Sequence, residues 1–357
     1  GQEQEGIDPS SLIALEKELE KYLHALEHQT YEVAVIAAMK AGKSTFLNAV
    51  IGADVLASES EACTVCRTEI RHVNAGVTPY LLEYPAAGDK PMLIAEGEAE
   101  QIRQAFLDRT HGIRKANAVE EVESFVLHHP IAAIQDFKVL SGFTLIDTPG
   151  PNEWETEGFN TVSLKQVALE VLRNCKVILF VLDYTSFKDN TNKELLTELI
   201  EKRQSFLEQD RDKLYFLLNK VDRKAENDRP LAEVVAELKA TLQGFGIPDP
   251  KVYTSSARQG LLARLILQGQ AKEEHIKDFK KFFSAQYAQE NEEGDMVIPG
   301  PQKIAPQALI DSGIPQIEES IIATIAQNAG VALLSEILGQ FHGVAGDLEG
   351  LIQVSIQ

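Results

Sequence analysis

"VIAAMKAGKSTFLNAVIG", residues 35–52, is the stretch on which the fold turns. A β-branched apolar run passes through small residues into Gly42-Lys43-Ser44-Thr45 and then an amphipathic stretch. That is the order strand, tight turn, helix. Such a junction aims backbone N–H groups and a helix N-terminus at one point, where a phosphate is held. On this reading Ala41, Gly42, Lys43, Ser44 and Thr45 form the cradle. Lys43 neutralises β- and γ-phosphate oxygens, the Ser44 hydroxyl ligates Mg²⁺, and Thr45 donates to the α-phosphate. Measured against G-x-x-x-x-G-K-[ST], the single departure is Ala37, where the opening glycine would stand. If that position needs a positive φ, alanine costs about 1–2 kcal/mol. Lys40 adds a second positive charge in the middle of the loop.

The rest of the chain supports an ordinary globular protein. Its 357 residues suffice for one large domain or two smaller ones. The formal net charge of −20 argues against a general nucleic-acid or anionic-membrane surface, because phosphates would be repelled. Three cysteines, Cys63, Cys66 and Cys175, read as reduced thiols of a cytoplasmic protein rather than a disulfide scaffold. The apolar stretch from Val331 to Ile352 is interrupted by Glu336, Gln340, His342, Asp347 and Glu349, so it does not read as a membrane span. The chain opens on Gly1 and stops inside a helical pattern, and is expected to be a piece of a longer protein.

Outward from the loop, strands and helices alternate. "YEVAVIAA", "RTEIRHV", "FTLIDTPG", "KVILFVLD", "KLYFLLNK" and "KVYTSS" read as strands, several of them continuously apolar, as expected when both faces of a sheet are covered. The class is α/β: a doubly wound, mostly parallel sheet with helices on both faces. A long insertion, Asn74 to Gly142, carries a helix around Ala99 to Leu107. Leu12, Leu15, Leu19, Tyr22 and Leu26 form a one-sided helical seam before the first strand. "HIKDFKKFFSAQYA" reads as a helix and "ENEEGDMVIPGPQK" as an exposed loop. From Ile314 onward the pattern is helical again. The expected division is a helix in 1–30, an α/β domain in 31–312, and further helices in 313–357.

Two more motifs end strands. In "LIDTPG", Asp147 is placed to hold Mg²⁺ through water, and the Gly150 N–H to reach the γ-phosphate. In "LLNKVD", Asn219, Lys220 and Asp222 follow the next strand but one. A carboxylate there accepts from guanine N1–H and the N2 amino group together. Adenine has neither donor, and sites of this kind discriminate by about 10⁴ to 10⁵. The Lys220 stem covers the base, and "TSSAR" supplies Ser256 and the Ala257 N–H, the latter toward guanine O6.

With these residues in view the chain resembles P-loop GTP-binding proteins, and more narrowly the dynamin superfamily. "MKAGKST", "LIDTPGPNE", "VLDYTSFK" and "NKVD" carry the resemblance, with the insertion and flanking helices. It is most like bacterial dynamin-like proteins of the clamp-binding and LeoA type. The resemblance is specific over Tyr31 to Gly260 and architectural outside it. It implies a GTPase domain joined to a helical neck, pairing of two such domains when nucleotide is bound, and a stalk with any membrane-binding tip outside this chain. It places the switch I threonine at Thr64, as Mg²⁺ ligand and γ-phosphate contact. The protein would then be cytoplasmic or peripheral to a membrane. Cys63 and Cys66 flank Thr64; with His72 they lack the ligands for zinc, and small residues in a mobile loop is the preferred reading over redox control.

The residue after D-x-x-G is Pro151, where many small GTPases place a glutamine that orients water. In relatives the position of Lys40 helps bind a monovalent cation, K⁺ or Na⁺, or carries an arginine finger. Lys40 is therefore a candidate to replace that ion, against the alternative of a lysine simply pointing to solvent. Asp189 reads either as a contact across a dimer or as a helix N-cap, with Asn190. "IKDFKKFF" reads as a surface helix rather than a membrane one. Two functions compete: a GTPase that remodels a membrane or an assembly, and a GTP-gated scaffold with little hydrolysis that recruits a protein partner such as a replication clamp. A ribosome-associated GTPase acting on RNA is disfavoured by the acidic balance.

Overall fold

The computed structural model describes residues 31–37, 40–57, 66–116, 118, 121–135, 143–148, 175, 177–188, 197, 214–225 and 227–325, with isolated positions at 327, 335, 338, 339, 342, 343 and 346. The seam in 1–30, Thr64, Cys63, Gly150, Pro151, Asp189, Asn190 and most of 326–357 lie outside the described residues.

All six expected strands are present: β1 (Tyr31–Ala37), β2 (Arg67–His72), β6 (Phe143–Asp147), β7 (Val177–Asp183), β8 (Leu214–Asn219) and β9 (Lys251–Ser255). The insertion holds more than a helix. It contributes β3 (Tyr80–Pro85), β4 (Met92–Glu96) and β5 (Val122–His129) to the same sheet, and its helix α2 runs through Ala99–Ala116, well beyond the expected end at Leu107. The strand order is β4-β3-β5-β2-β6-β1-β7-β8-β9. β1 pairs in parallel with β6 on one side and β7 on the other, and β7, β8 and β9 continue in parallel. The chain thus leaves β1 to one side and returns on the other, which opens a crevice at the carboxyl ends of the strands.

Alternation along each strand explains the two covered faces. Val33, Val35, Val177, Leu179 and Leu217 face one core with the helix α1 (Lys43–Ile51) and the helix α4 (Ala257–Leu267). Ala34, Ile36, Ile178, Phe180, Phe216 and Leu218 face the other, under the helix α3 (Leu231–Gly244). Side chains one residue apart point to opposite faces, so an uninterrupted apolar strand fills both cores.

α5 (Glu273–Phe282) and α6 (Pro301–Asp311) pack against α4 around Leu262, Ile266, Phe279, Phe283 and Ile304. The segment expected to be a loop carries an exposed hairpin of two short strands, β10 (Gln289–Glu290) and β11 (Met296–Val297). α7 (Ile314–Ile317) runs into a π-helix, Glu318–Ala323. Ile314, Ile317, Ile321, Ile322 and Ile325 join the core beneath α1. Among the described residues no helix is long and apolar enough to cross a membrane.

Candidate functional site

The helix α1 begins at Lys43, as expected from the sequence, with Gly42 as N-cap at φ 88°, ψ 31°. Ala37 ends β1 as a buried strand residue and is not among the residues of positive φ. The strain considered for that alanine is therefore absent. Positive φ falls on Lys40 (64°), Gly42 (88°) and Lys220 (63°). Lys40 and Lys220 are the non-glycine residues in this conformation among those described, and the two are joined: Lys220 Nζ donates to the Lys40 carbonyl. Left-handed conformations at bulky residues persist where the surroundings over-determine them, and they concentrate at functional sites.

Lys43 is 1 % exposed. Its Nζ lies 2.9 Å from Asp147 Oδ1 and donates to the Thr148 carbonyl. Asp147 Oδ1 is itself buried and accepts no hydrogen bond among the described residues. The pair is thus held by charge at short distance without hydrogen-bond alignment. The parallel register sets Asp147 opposite Val35, and Thr148 Oγ1 anchors the next residue to the Val35 carbonyl at 3.0 Å. Ser44 is buried beside Lys43. A buried carboxylate oxygen without a hydrogen bond suits a hard cation that takes oxygen ligands, and Ser44 offers a hydroxyl of the same kind. The residues fit Mg²⁺, and a phosphate would take over the charge on Lys43.

The side expected from the sequence to read a base is built around Asn219, at 2 % exposure. Its Nδ2 donates to the Ala41 carbonyl (2.9 Å), and its Oδ1 accepts from Ser255 Oγ (3.2 Å) and the Ala257 N–H (3.0 Å). One amide therefore ties the phosphate loop to the loop after β9. The Ala257 N–H has a partner in Asn219, so a purine O6 would share this donor rather than find it free. Ser256 Oγ donates to Asp222 Oδ1 at 2.5 Å, which aims the exposed carboxylate.

Lys220 makes a contact that reading the sequence missed. Its Nζ donates to Asp183 Oδ2 at 2.7 Å, and the Thr185 N–H and hydroxyl donate to Oδ1 at 2.8 and 2.7 Å. Burial alone would raise the Asp183 pKa, but the Lys220 and Thr185 contacts together outweigh it and hold the carboxyl below its ordinary value. The available signal was an aspartate ending the otherwise apolar "VILFVLD". Register does the rest, setting Asp183 opposite Asn219 and Asn219 opposite Ser255.

Lys40 is exposed. Cys66 is buried, and burial together with the nearby Glu83 carboxylate pushes its thiol pKa up. His72 Nδ1 accepts the Ile131 N–H at 3.0 Å. Among the described residues no group of three or more His, Cys, Asp or Glu could hold a metal ion.

Residues 33–221 match the model of the Dynamin family. A bacterial dynamin-like protein of Nostoc punctiforme is 28 % identical over 289 residues, covering 73 % of this chain and 37 % of its own length. The clamp-binding protein CrfC of Escherichia coli is 25 % identical over 283 residues, covering 65 % of this chain and 36 % of its own length. The chain thus spans little more than a third of these curated relatives. A solved structure from an oligomerised bacterial dynamin pair, described as a mechanism for long-range sensing and tethering of membranes, overlays with a TM-score of 0.48 at 15 % identity, covering 96 % of this chain and 55 % of that one.

Proposed function

The chain belongs to the dynamin family, and from that premise we propose that it binds GTP and hydrolyses it to GDP and phosphate. The observation that carries the reading is the single line of side chains along the strands' carboxyl ends. The Lys43–Asp147 pair lies under the phosphate loop, and Asn219 bridges that loop to Asp222 through Ser255, Ser256 and Ala257. Phosphate chemistry and base recognition are thereby held on one rigid edge.

In this reading Gly42, Lys43, Ser44 and Thr45 cradle the phosphates. Ser44 and Asp147, with Thr64, hold Mg²⁺, which offsets the charge of the β- and γ-phosphates. Gly150 contributes an N–H to the γ-phosphate. Asp222 accepts from the guanine N1–H and N2 amino group, and the Lys220 stem, clamped by Asp183, lies against the base. Lys40 offers a cation toward the bond that breaks. Its exposure and left-handed backbone support a group kept for chemistry rather than packing, and it would take the place of K⁺ or Na⁺. Pairing of two such domains would order it. The work done would be remodelling of a membrane or an assembly by a helical neck at 1–30 and 313–357, from a cytoplasmic or membrane-peripheral position.

Phosphate release against protein concentration, with GTP and ATP in parallel, is the test. Specific activity that rises with concentration for GTP alone supports a self-pairing GTPase. Equal use of both nucleotides overturns the assignment of Asp222. Tight GTP binding without turnover would favour the scaffold reading, to which the clamp-binding name of one relative lends a partner class.

A further inference from the structure

Three histidines meet where β2 and β5 end together. The register of this parallel pair sets Arg71 opposite His128 and His72 opposite His129. Side chains one residue apart point to opposite faces of a sheet. His72 and His129 therefore stand side by side on the face of Ile70 and Leu127, which belong to the core shared with α1. His128 stands on the other face, stacked on Tyr80 of β3 with ring centroids 4.4 Å apart. All three lie outside the nucleotide site proposed above.

His72 does more than fill space. It is 7 % exposed, and its Nδ1 accepts the Ile131 N–H at 3.0 Å. A ring nitrogen that accepts carries no proton, so this bond exists only for the neutral imidazole with its proton on Nε2. Charging the ring would set a second donor against the Ile131 N–H and place a cation at the margin of an apolar core. The bond at stake holds the chain as it turns out of β5. Ile131 and Ile134 are fully buried. The turn of 3-10 helix between them, Ala132–Ile134, presses on the end of α1, where a Cβ on Gly52 would stand 2.8 Å from Ala132 Cβ. The same turn also packs against the π-helix Glu318–Ala323.

We infer that His72 is an acid-sensitive latch: as a neutral ring it fastens residues 131–135 to the end of β2, and its protonation favours the state in which that turn is released from Gly52. The latch requires no nucleotide. Burial lowers the His72 pKa. Burial lowers that of His129 too, against the Pro130 carbonyl, which accepts from Nδ1 at 2.7 Å. For His128 burial comes first and the Arg71 cation adds to it, while Glu69 acts in the opposite direction. Arg71 and Glu69 are paired with each other at 2.7 Å. With Tyr80 they are the charged and titratable groups that face the cluster among the described residues. Folded values below the unfolded value of about 6.5 mean that the released state binds more protons. Stability at this junction is therefore complete above about pH 6.5 and is lost as pH falls through the folded values.

Hydrogen exchange of the 129–135 peptide in the whole chain tests this at about pH 7.5 and about pH 5.5, corrected for the intrinsic pH dependence of exchange. The β1 peptide Tyr31–Ala37 serves as internal reference. In the parent, acidification is expected to raise the opening constant of the 129–135 peptide by about tenfold for each histidine that gains its proton on release, while β1 stays constant. His72→Asn keeps an acceptor that takes no proton, and its rise should be about tenfold smaller than the parent's. A purely structural role would raise opening equally at both pH values and leave the rise intact, which overturns the inference. An equal rise in the β1 peptide, marking global unfolding, overturns it as well. Should His72→Asn not fold, the imidazole proton signals of the parent decide. A His72 ring that stays neutral below about pH 6.5 supports the latch, and one that titrates at or above that value overturns it.

Discussion

Gly42→Ala probes the site at its narrowest point. Gly42 holds φ 88°, and an alanine Cβ would stand 2.6 Å from Asn219 Nδ2. Two penalties follow. The left-handed backbone costs about 1–2 kcal/mol for a residue with a Cβ. Displacing the Asn219 amide breaks its bond to the Ala41 carbonyl and strains its contacts with Ser255 and Ala257, at about 1–3 kcal/mol for buried polar groups left unmatched. Together they come to about 2–5 kcal/mol. If the loop keeps its shape, the loss is read in folding stability. If the new alanine leaves the left-handed region, the fold is spared but the cradle opens, and nucleotide binding weakens by about 30- to 4,000-fold. Melting temperature and the dissociation constant of a fluorescent GTP analogue, measured on one preparation, catch both cases. A variant that matches the parent in melting temperature and in affinity would refute the reasoning.

Asp222→Asn should reduce the preference for GTP over ATP by about 10²-fold, because charge-assisted bonds to two guanine donors are lost; calorimetry with both nucleotides reads this directly. Lys40→Gly relieves φ 64° and should raise stability by about 1 kcal/mol while lowering GTP turnover, and added potassium should restore part of the loss. Unchanged turnover with and without potassium would remove Lys40 from the mechanism. The Asp183 pKa is depressed in the folded protein, so its stabilising contribution is complete above the unfolded value of about 4 and is lost as pH falls through the folded value below that. Asp183→Asn should therefore narrow its gap from the parent in acid, as measured by urea unfolding at about pH 7 and about pH 3.

The strands, the start of α1 and the charged motifs were legible because each is a local signal. Continuous apolar runs need two covered faces, and Gly42-Lys43-Ser44 needs a turn before a helix. The insertion was legible only in part. β3, β4 and β5 extend the sheet through pairings that no spacing within one segment reveals, and "ENEEGDMVIPGPQK" hides part of a hairpin of two-residue strands inside polar loop composition. Ala37 shows the limit of motif matching. A pattern expects glycine there, yet the backbone is extended, and the left-handed positions fall instead on Lys40 and Gly42.

By itself the amino-acid order determined the class of fold and the turn from β1 into α1, because hydrophobic period and turn chemistry act over a few neighbouring residues. Only the tertiary structure decided that Asp183 holds Lys220, that Asn219 joins two loops, and that Arg264 links α1 to Glu318. Those partners stand from 37 to 215 residues apart in the chain. They meet because parallel register and the packing of α4 bring them together, and neither is written in any local stretch.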